Sequence, residues 1–182
     1  ASLVSPSLGY FVLANTGMIY TSSTVTQALT TVVAPGSTSE RILRIQIVLG
    51  AGTPALNLEG LKFNTNGSTS ATDIAKAKVY YTGSSTTFAT DTQFGVDYNA
   101  PSGTFIVNGD IELSSGTSYF WLAYDIASDA ILGNVVDAEC TDLIFNYGTY
   151  TPTVTAPTGN RLINLTYCNP GSNALGPCDC LM

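Results

Sequence analysis

Carboxylates are the commonest ionisable side chains in this sequence: thirteen Asp and Glu are present, and no histidine. Two acids at a suitable separation are enough for glycoside hydrolysis. The closest groupings are Asp110 with Glu112, and Asp137 with Glu139 and Asp142. All lie beside turns or at strand ends, where solvated surface carboxylates are the simpler reading. The same oxygens suit Ca²⁺, a hard cation that takes about six to eight oxygen ligands. Asp91, Asp97 and Asn99 form one candidate set, and Asp125, Asp129, Asn134 and Asp137 another. Neither follows EF-hand spacing, so no metal or cofactor is expected, with a structural calcium as the alternative.

Without histidine the chain lacks the commonest general base and the commonest metal ligand. Serine and threonine abound, but with neither histidine nor a lysine dyad beside them none is a nucleophile. A non-enzyme is therefore expected. The four cysteines are Cys140, Cys168, Cys178 and Cys180. Four thiolates would suit zinc, yet the spacing of the last three is not that of a zinc ribbon. Disulfides are preferred, Cys140 with a tail cysteine or a tail cysteine with a neighbouring subunit, and spacing does not choose among the pairings.

The elements that must position these groups are strands. Short β-prone runs alternate with turn residues at intervals of roughly ten, and helical periodicity is nearly missing. Strands are predicted at Leu8–Leu13, Met18–Ser22, Thr24–Val33, Ile42–Leu49, Leu56–Phe63, Ala75–Thr82, Thr104–Val107, Ile111–Leu113, Tyr119–Ile126, Ala138–Phe145 and Arg161–Leu165. Leu43, Ile45, Ile47 and Leu49 share one face, with Arg44 and Gln46 on the other, as a half-buried antiparallel strand requires. Tyr119–Ile126 is apolar on both faces, so Trp121 marks the core or an interface.

Turn chemistry is explicit at Ala34-Pro35-Gly36, Asn66-Gly67, Thr82-Gly83, Asn108-Gly109 and Ser115-Gly116. Asn108-Gly109, between two β-prone runs, reads as the best hairpin in the chain. Ala71–Ala75 and Ala127–Leu132 each read as a single helical turn. The fold class that follows is all-β, an antiparallel β-sandwich of jelly-roll or Ig-like type with an irregular cysteine-bearing C-terminal tail.

Composition agrees. A chain of 182 residues, 45% hydrophobic, can bury its own core, while only 10% of residues are charged. Uncharged polar surface of this kind is common in extracellular β proteins. The net charge of -7 has no basic cluster to offset it, which argues against nucleic acid. No apolar run is long enough for a membrane helix, and no charged segment opens the chain as in a signal peptide. A trimmed, secreted or cell-surface form is expected.

Three regions are expected: an N-terminal strand or arm over 1–17, a sandwich over 18–163 and an irregular tail over 164–182. Leu8, Tyr10, Phe11, Val12 and Leu13 make the first region β-prone. They read first as an internal strand and alternatively as an arm that pairs with another molecule. Of the exposed aromatics, Tyr80 or Tyr81 with Tyr98, Tyr147 and Tyr150 is a candidate platform for sugar rings, with ordinary cross-strand packing preferred. Asn66-Gly67-Ser68 and Asn164-Leu165-Thr166 match the N-glycan acceptor pattern, a short motif with many chance matches.

An ordered series of blocks carries a family likeness. It runs through Met18-Ile19-Tyr20, Ser39-Glu40-Arg41-Ile42-Leu43-Arg44-Ile45, Leu61-Lys62-Phe63-Asn64-Thr65 and Asp73-Ile74-Ala75-Lys76-Ala77-Lys78-Val79-Tyr80-Tyr81-Thr82-Gly83. It continues through Phe94-Gly95, Tyr119-Phe120-Trp121-Leu122-Ala123-Tyr124-Asp125-Ile126 and Gly133-Asn134. In these blocks residues 18 to 163 resemble the N-terminal accessory domain found ahead of bacterial neuraminidase-repeat sialidases and in other large bacterial surface proteins. The resemblance implies a non-catalytic antiparallel sandwich. Thr166-Tyr167-Cys168 resembles the opening of a cysteine-bearing module that follows in such proteins.

The resemblance does not extend to a sialidase site. The repeat signature Ser-x-Asp-x-Gly-x-x-Trp is missing; Ser114 to Trp121 has no Asp and a misplaced glycine. The chain has three arginines, the number a sialidase uses to clamp a carboxylate, but strand alternation puts Arg41 and Arg44 on opposite faces. A triad of these with Arg161 is thus not expected. The function expected is a structural or adhesive surface module, assembling with itself or with neighbouring domains through its arm and tail. A carbohydrate-binding accessory domain of a secreted glycosidase is the alternative, with glycans as ligands.

Overall fold

A computed structural model of the chain describes residues 17–165. The assembly candidates Leu8 to Leu13 and the tail cysteines Cys168, Cys178 and Cys180 lie outside these residues.

The described chain is an antiparallel sandwich with 54% of its residues in strands. The strands are β1 (Ile19–Gln27), β2 (Glu40–Gly50), β3 (Leu56–Asn64), β4 (Ile74–Tyr81), β5 (Gln93–Asn99), β6 (Thr104–Leu113), β7 (Gly116–Ile126), β8 (Val135–Val136), β9 (Glu139–Phe145), β10 (Gly148–Tyr150) and β11 (Arg161–Leu162). A larger sheet has the order β1-β2-β7-β4-β5, a smaller one β10-β9-β3-β6, and β11-β8 form a short pair. The chain changes sheet repeatedly, so most of its pairings join segments distant in sequence.

Alternation decides which faces meet. Ile45 and Ile47 of β2, Phe120 and Leu122 of β7 and Val79 of β4 point inward from the larger sheet, and all are wholly buried. Leu58, Leu61 and Phe63 of β3 and Leu143 of β9 answer from the smaller sheet, equally buried. Each such side chain contributes about 1.5 to 3 kcal/mol on leaving water. Cys140 and Tyr124 are part of this same core.

Several sequence expectations are corrected here. Met18–Ser22 and Thr24–Val33 are not separate strands: β1 runs through both, with an irregularity between Tyr20 and Ser22, and ends at Gln27. The Asn108-Gly109 hairpin does not form; β6 continues through it, with a register shift against β3 opposite Leu58 to Gly60. The glycine serves close approach instead. A Cβ at Gly109 would lie 2.7 Å from the Phe94 ring, so the side-chain-free position is where β5 packs on β6. Ala127–Leu132 is not helical. Buried Asp73 holds the following loop, accepting from the Ile131 N–H at 3.0 Å and the Asn134 Nδ2 at 2.8 Å. Ala71–Asp73 does form a single 3-10 turn, capped by Ser70.

Candidate functional site

The arginines give the clearest departure from strand logic. Ile42 and Leu43 are adjacent, yet both are wholly buried, because a β-bulge breaks the β2–β7 register between Arg41 and Leu43. Two inward residues in succession shift the alternation by one. Arg41 therefore stands opposite Ala123 and Arg44 opposite Trp121, two residues apart on β7. The expectation of opposite faces is overturned: both arginines occupy the outer face of the larger sheet.

That face carries a second, smaller cluster of Tyr80, Trp121 and Ala123, with Ala28 and Phe88 packed against it. Trp121 thus belongs to an outer cluster rather than to the space between the sheets. Its indole N–H donates to Thr82 Oγ1 at 2.9 Å. Phe88 meets both Tyr80 and Trp121 edge to face. The Arg41 guanidinium lies 5.3 Å from the centre of the Phe88 ring, and that of Arg44 lies 5.7 Å from Tyr119 and 5.9 Å from Trp121. Cations held over ring faces at such distances are favoured by the ring quadrupole.

A depression of about 270 Å³ opens here, lined by Thr26, Gln27, Ala28, Arg41, Arg44, Thr86 and Trp121. Arg44 Nε donates to Thr26 Oγ1 at 3.2 Å. Among the described residues no carboxylate lies within ion-pair distance of either arginine. Sequence reading missed Thr26, Gln27, Thr86 and Phe88 as neighbours of these cations, since they come from β1 and from the loop between β4 and β5.

The other bases are committed. Lys78 pairs with Asp125 at 2.7 Å, and Asp125 also accepts from the Ser39 N–H at 2.8 Å. Burial acts to lower the Lys78 pKa, but the Asp125 carboxylate outweighs it and the net shift is upward. Lys76 pairs with Asp97 and Lys62 with Asp142, both at 3.1 Å. Arg161 is almost wholly buried, pairs with Glu40 at 2.7 Å, and donates to the carbonyls of Thr31, Val32 and Arg41. It is a structural clamp and does not line the depression, so the three arginines do not converge there.

The calcium candidates are dispersed among such partners. Asp97 accepts from Gln93 at 2.9 Å as well as from Lys76, and the Gln93 hydrogen bond leads in holding its carboxyl below the ordinary value. Asp125 is held by Lys78 and Asn134 by Asp73. Asp91 and Asp129 are exposed. Asp137 is half-buried, and burial pushes its pKa up to about 6, against the Ala138 N–H and helped by Glu139. Among the described residues no three His, Cys, Asp or Glu converge as metal ligands. Of the acid pairs, Asp110 and Glu112 are exposed on β6, and Asp142 is taken by Lys62.

Cys140 is a buried free thiol among the described residues, and burial pushes its pKa well up. The tyrosines form no platform. Tyr80 is buried with its hydroxyl 2.9 Å from Ser39 Oγ, Tyr81 packs on Phe120, Tyr98 on Phe105, and Tyr150 stacks on Tyr20 at 4.0 Å. Tyr147 alone of the set is largely exposed. Among the described residues no helix is long and apolar enough to cross a membrane.

A family model described as the N-terminal domain of BNR-repeat neuraminidase matches residues 22–148, well over half of the chain. Among solved structures the chain is similar to Hadza microbial sialidase Hz136, with a TM-score of 0.60 at 12% identity. That match covers 76% of this chain but only 30% of the sialidase, so the chain spans under a third of that protein. At such identity the likeness is one of fold. No curated protein matches the chain.

Proposed function

The chain belongs to the family of N-terminal domains of BNR-repeat neuraminidases, and from that membership we propose that it is a non-catalytic extracellular accessory module that acts by contact. The observation that carries this reading is the separate commitment of its ionisable groups. Arg161 binds Glu40 and three carbonyls, Lys78 binds Asp125, Asp73 organises a loop, and Cys140 lies in the core. Few charges and many hydroxyl and amide side chains support a secreted or cell-surface location.

The test is to assay the purified chain against fluorogenic sialosides and a panel of other glycosides. No turnover is expected. Turnover that copurifies with the protein and falls on replacing Asp137, Glu139 or Asp142 would overturn the reading.

Within it, the contact is structural or adhesive, with copies of the same chain or with neighbouring domains. The support is the apolar, β-prone stretch Leu8 to Leu13, whose composition suits pairing with a strand edge of another copy. Light scattering at high concentration should show species larger than a monomer, and loss of them when Leu8 to Leu13 are deleted. The second reading, glycan binding, is favoured by the arginine-lined depression.

A further inference from the structure

The depression at Arg41 and Arg44 is the one place on the described surface where cations stand without anions. The chain as a whole carries a net charge of -7, and four of its bases are paired with carboxylates. Selection for solubility does not explain an unpaired pair of arginines set into an aromatic wall. Guanidinium groups favour carboxylates because their planar N–H forks match two oxygens at once. The rings beneath them hold the forks in place and lower the entropy lost when an anion arrives.

The rest of the lining and its volume narrow the ligand. Gln27 lines the same depression, but its Oε1 is screened from solvent and out of a ligand's reach. Its Nε2 is already used, donating to the Leu29 carbonyl at 3.0 Å. Thr86, exposed at the rim, adds a hydroxyl that can donate or accept. A volume of about 270 Å³ is slightly below the range for drug-sized ligands and suits a single ring.

We propose that Arg41, Arg44, Thr26, Thr86 and Trp121 form a binding site for a sugar acid, a pyranose ring bearing both a carboxylate and hydroxyl groups. The arginines take the carboxylate, the hydroxyls answer the threonines, and the indole edge bounds the ring. This site rests on the glycan-binding reading and names the class of sugar it would hold. Both nonulosonic acids and uronic acids carry the required chemistry.

Trp121 is the only tryptophan in the chain, so its fluorescence reports occupancy directly. The intact chain is titrated with the methyl glycosides of N-acetylneuraminic acid and glucuronic acid, and with methyl galactoside as the neutral control. At least one acid should give a saturable change, weakened by added salt, and which one responds identifies the source. Methyl galactoside should give none.

Arg41→Gln and Arg44→Gln should each weaken binding at least tenfold, while Arg44→Lys, which keeps the charge but not the fork, should weaken it less. Circular dichroism melts verify that each variant is folded. Silence from both acids at millimolar concentration would overturn the site, as would equal binding by galactoside or unchanged binding in both Gln variants. Such a result would leave the accessory-module reading standing. Glycoside turnover by the chain would sink that reading without touching this site.

Discussion

The guanidinium of Arg161 and the carboxylate of Glu40 meet at 2.7 Å, with the arginine side chain only 3% exposed. The same arginine reaches the carbonyls of Thr31, Val32 and Arg41, so a residue near the end of the sandwich ties together the connection between β1 and β2. Burial lowers its pKa, Glu40 opposes that, and the group stays charged because its donors are filled.

Removing one partner of such a pair strands the other. Arg161→Met leaves Glu40 without its cation and removes the donors that Arg161 gives to three carbonyls, and should cost about 3 to 5 kcal/mol. Urea denaturation measures it. A loss below about 1 kcal/mol would show that the clamp is dispensable.

Asp137 makes stability depend on pH in an unusual direction. Its folded-state pKa is about 6, above the ordinary value of 3.8. Between these values the folded chain holds a proton that the unfolded chain releases, so this group's contribution is complete below the lower value and is lost as pH rises through the upper one. Asp137→Asn keeps an acceptor for the Ala138 N–H but cannot ionise. The variant should gain stability relative to the wild type as pH rises from 4 to 7, by on the order of 2 kcal/mol. Parallel melting curves for the two proteins across that range would contradict this.

Gly95 sits at φ +72° where β5 crosses β6, and a Cβ there would overlap the backbone oxygen of Asn108. Backbone does not give way as a flexible side chain does. Gly95→Ala should destabilise the fold by at least about 2 kcal/mol. Gly83, with a positive φ but open space around it, supplies the comparison: Gly83→Ala should cost about 1 kcal/mol. Equal losses would mean that φ alone, and not the crossing, sets the requirement.

The Cys140 thiol, buried beside Phe63 on the neighbouring strand, should resist iodoacetamide in the native protein and react once urea unfolds it, without any reductant. Peptide mapping by mass spectrometry separates it from the tail cysteines. Protection that persists in urea until a reductant is added would instead reveal a disulfide.

Much of the fold was legible because burial on one face of a strand leaves a period of two. Ile45, Ile47 and Leu49 announce β2, and the apolar block Tyr119 to Ile126 announces β7 at the centre of its sheet. The short or weakly patterned strands β5, β8 and β10 escaped that reading. Gln93–Asn99 has only one buried residue, Phe94, and is held in place by β4 and β6 rather than by its own pattern.

By itself the sequence determined the layered β architecture, the absence of histidine chemistry and the excess of negative charge, since these follow from composition and from local alternation. Tertiary structure alone decided that Arg41 and Arg44 share a face, that Asn108-Gly109 is a crossing rather than a turn, and which carboxylates find cations. The reason is physical. A bulge, a close approach or an ion pair is selected by the partner strand's register and packing, and a partner many residues away leaves no imprint on the local pattern.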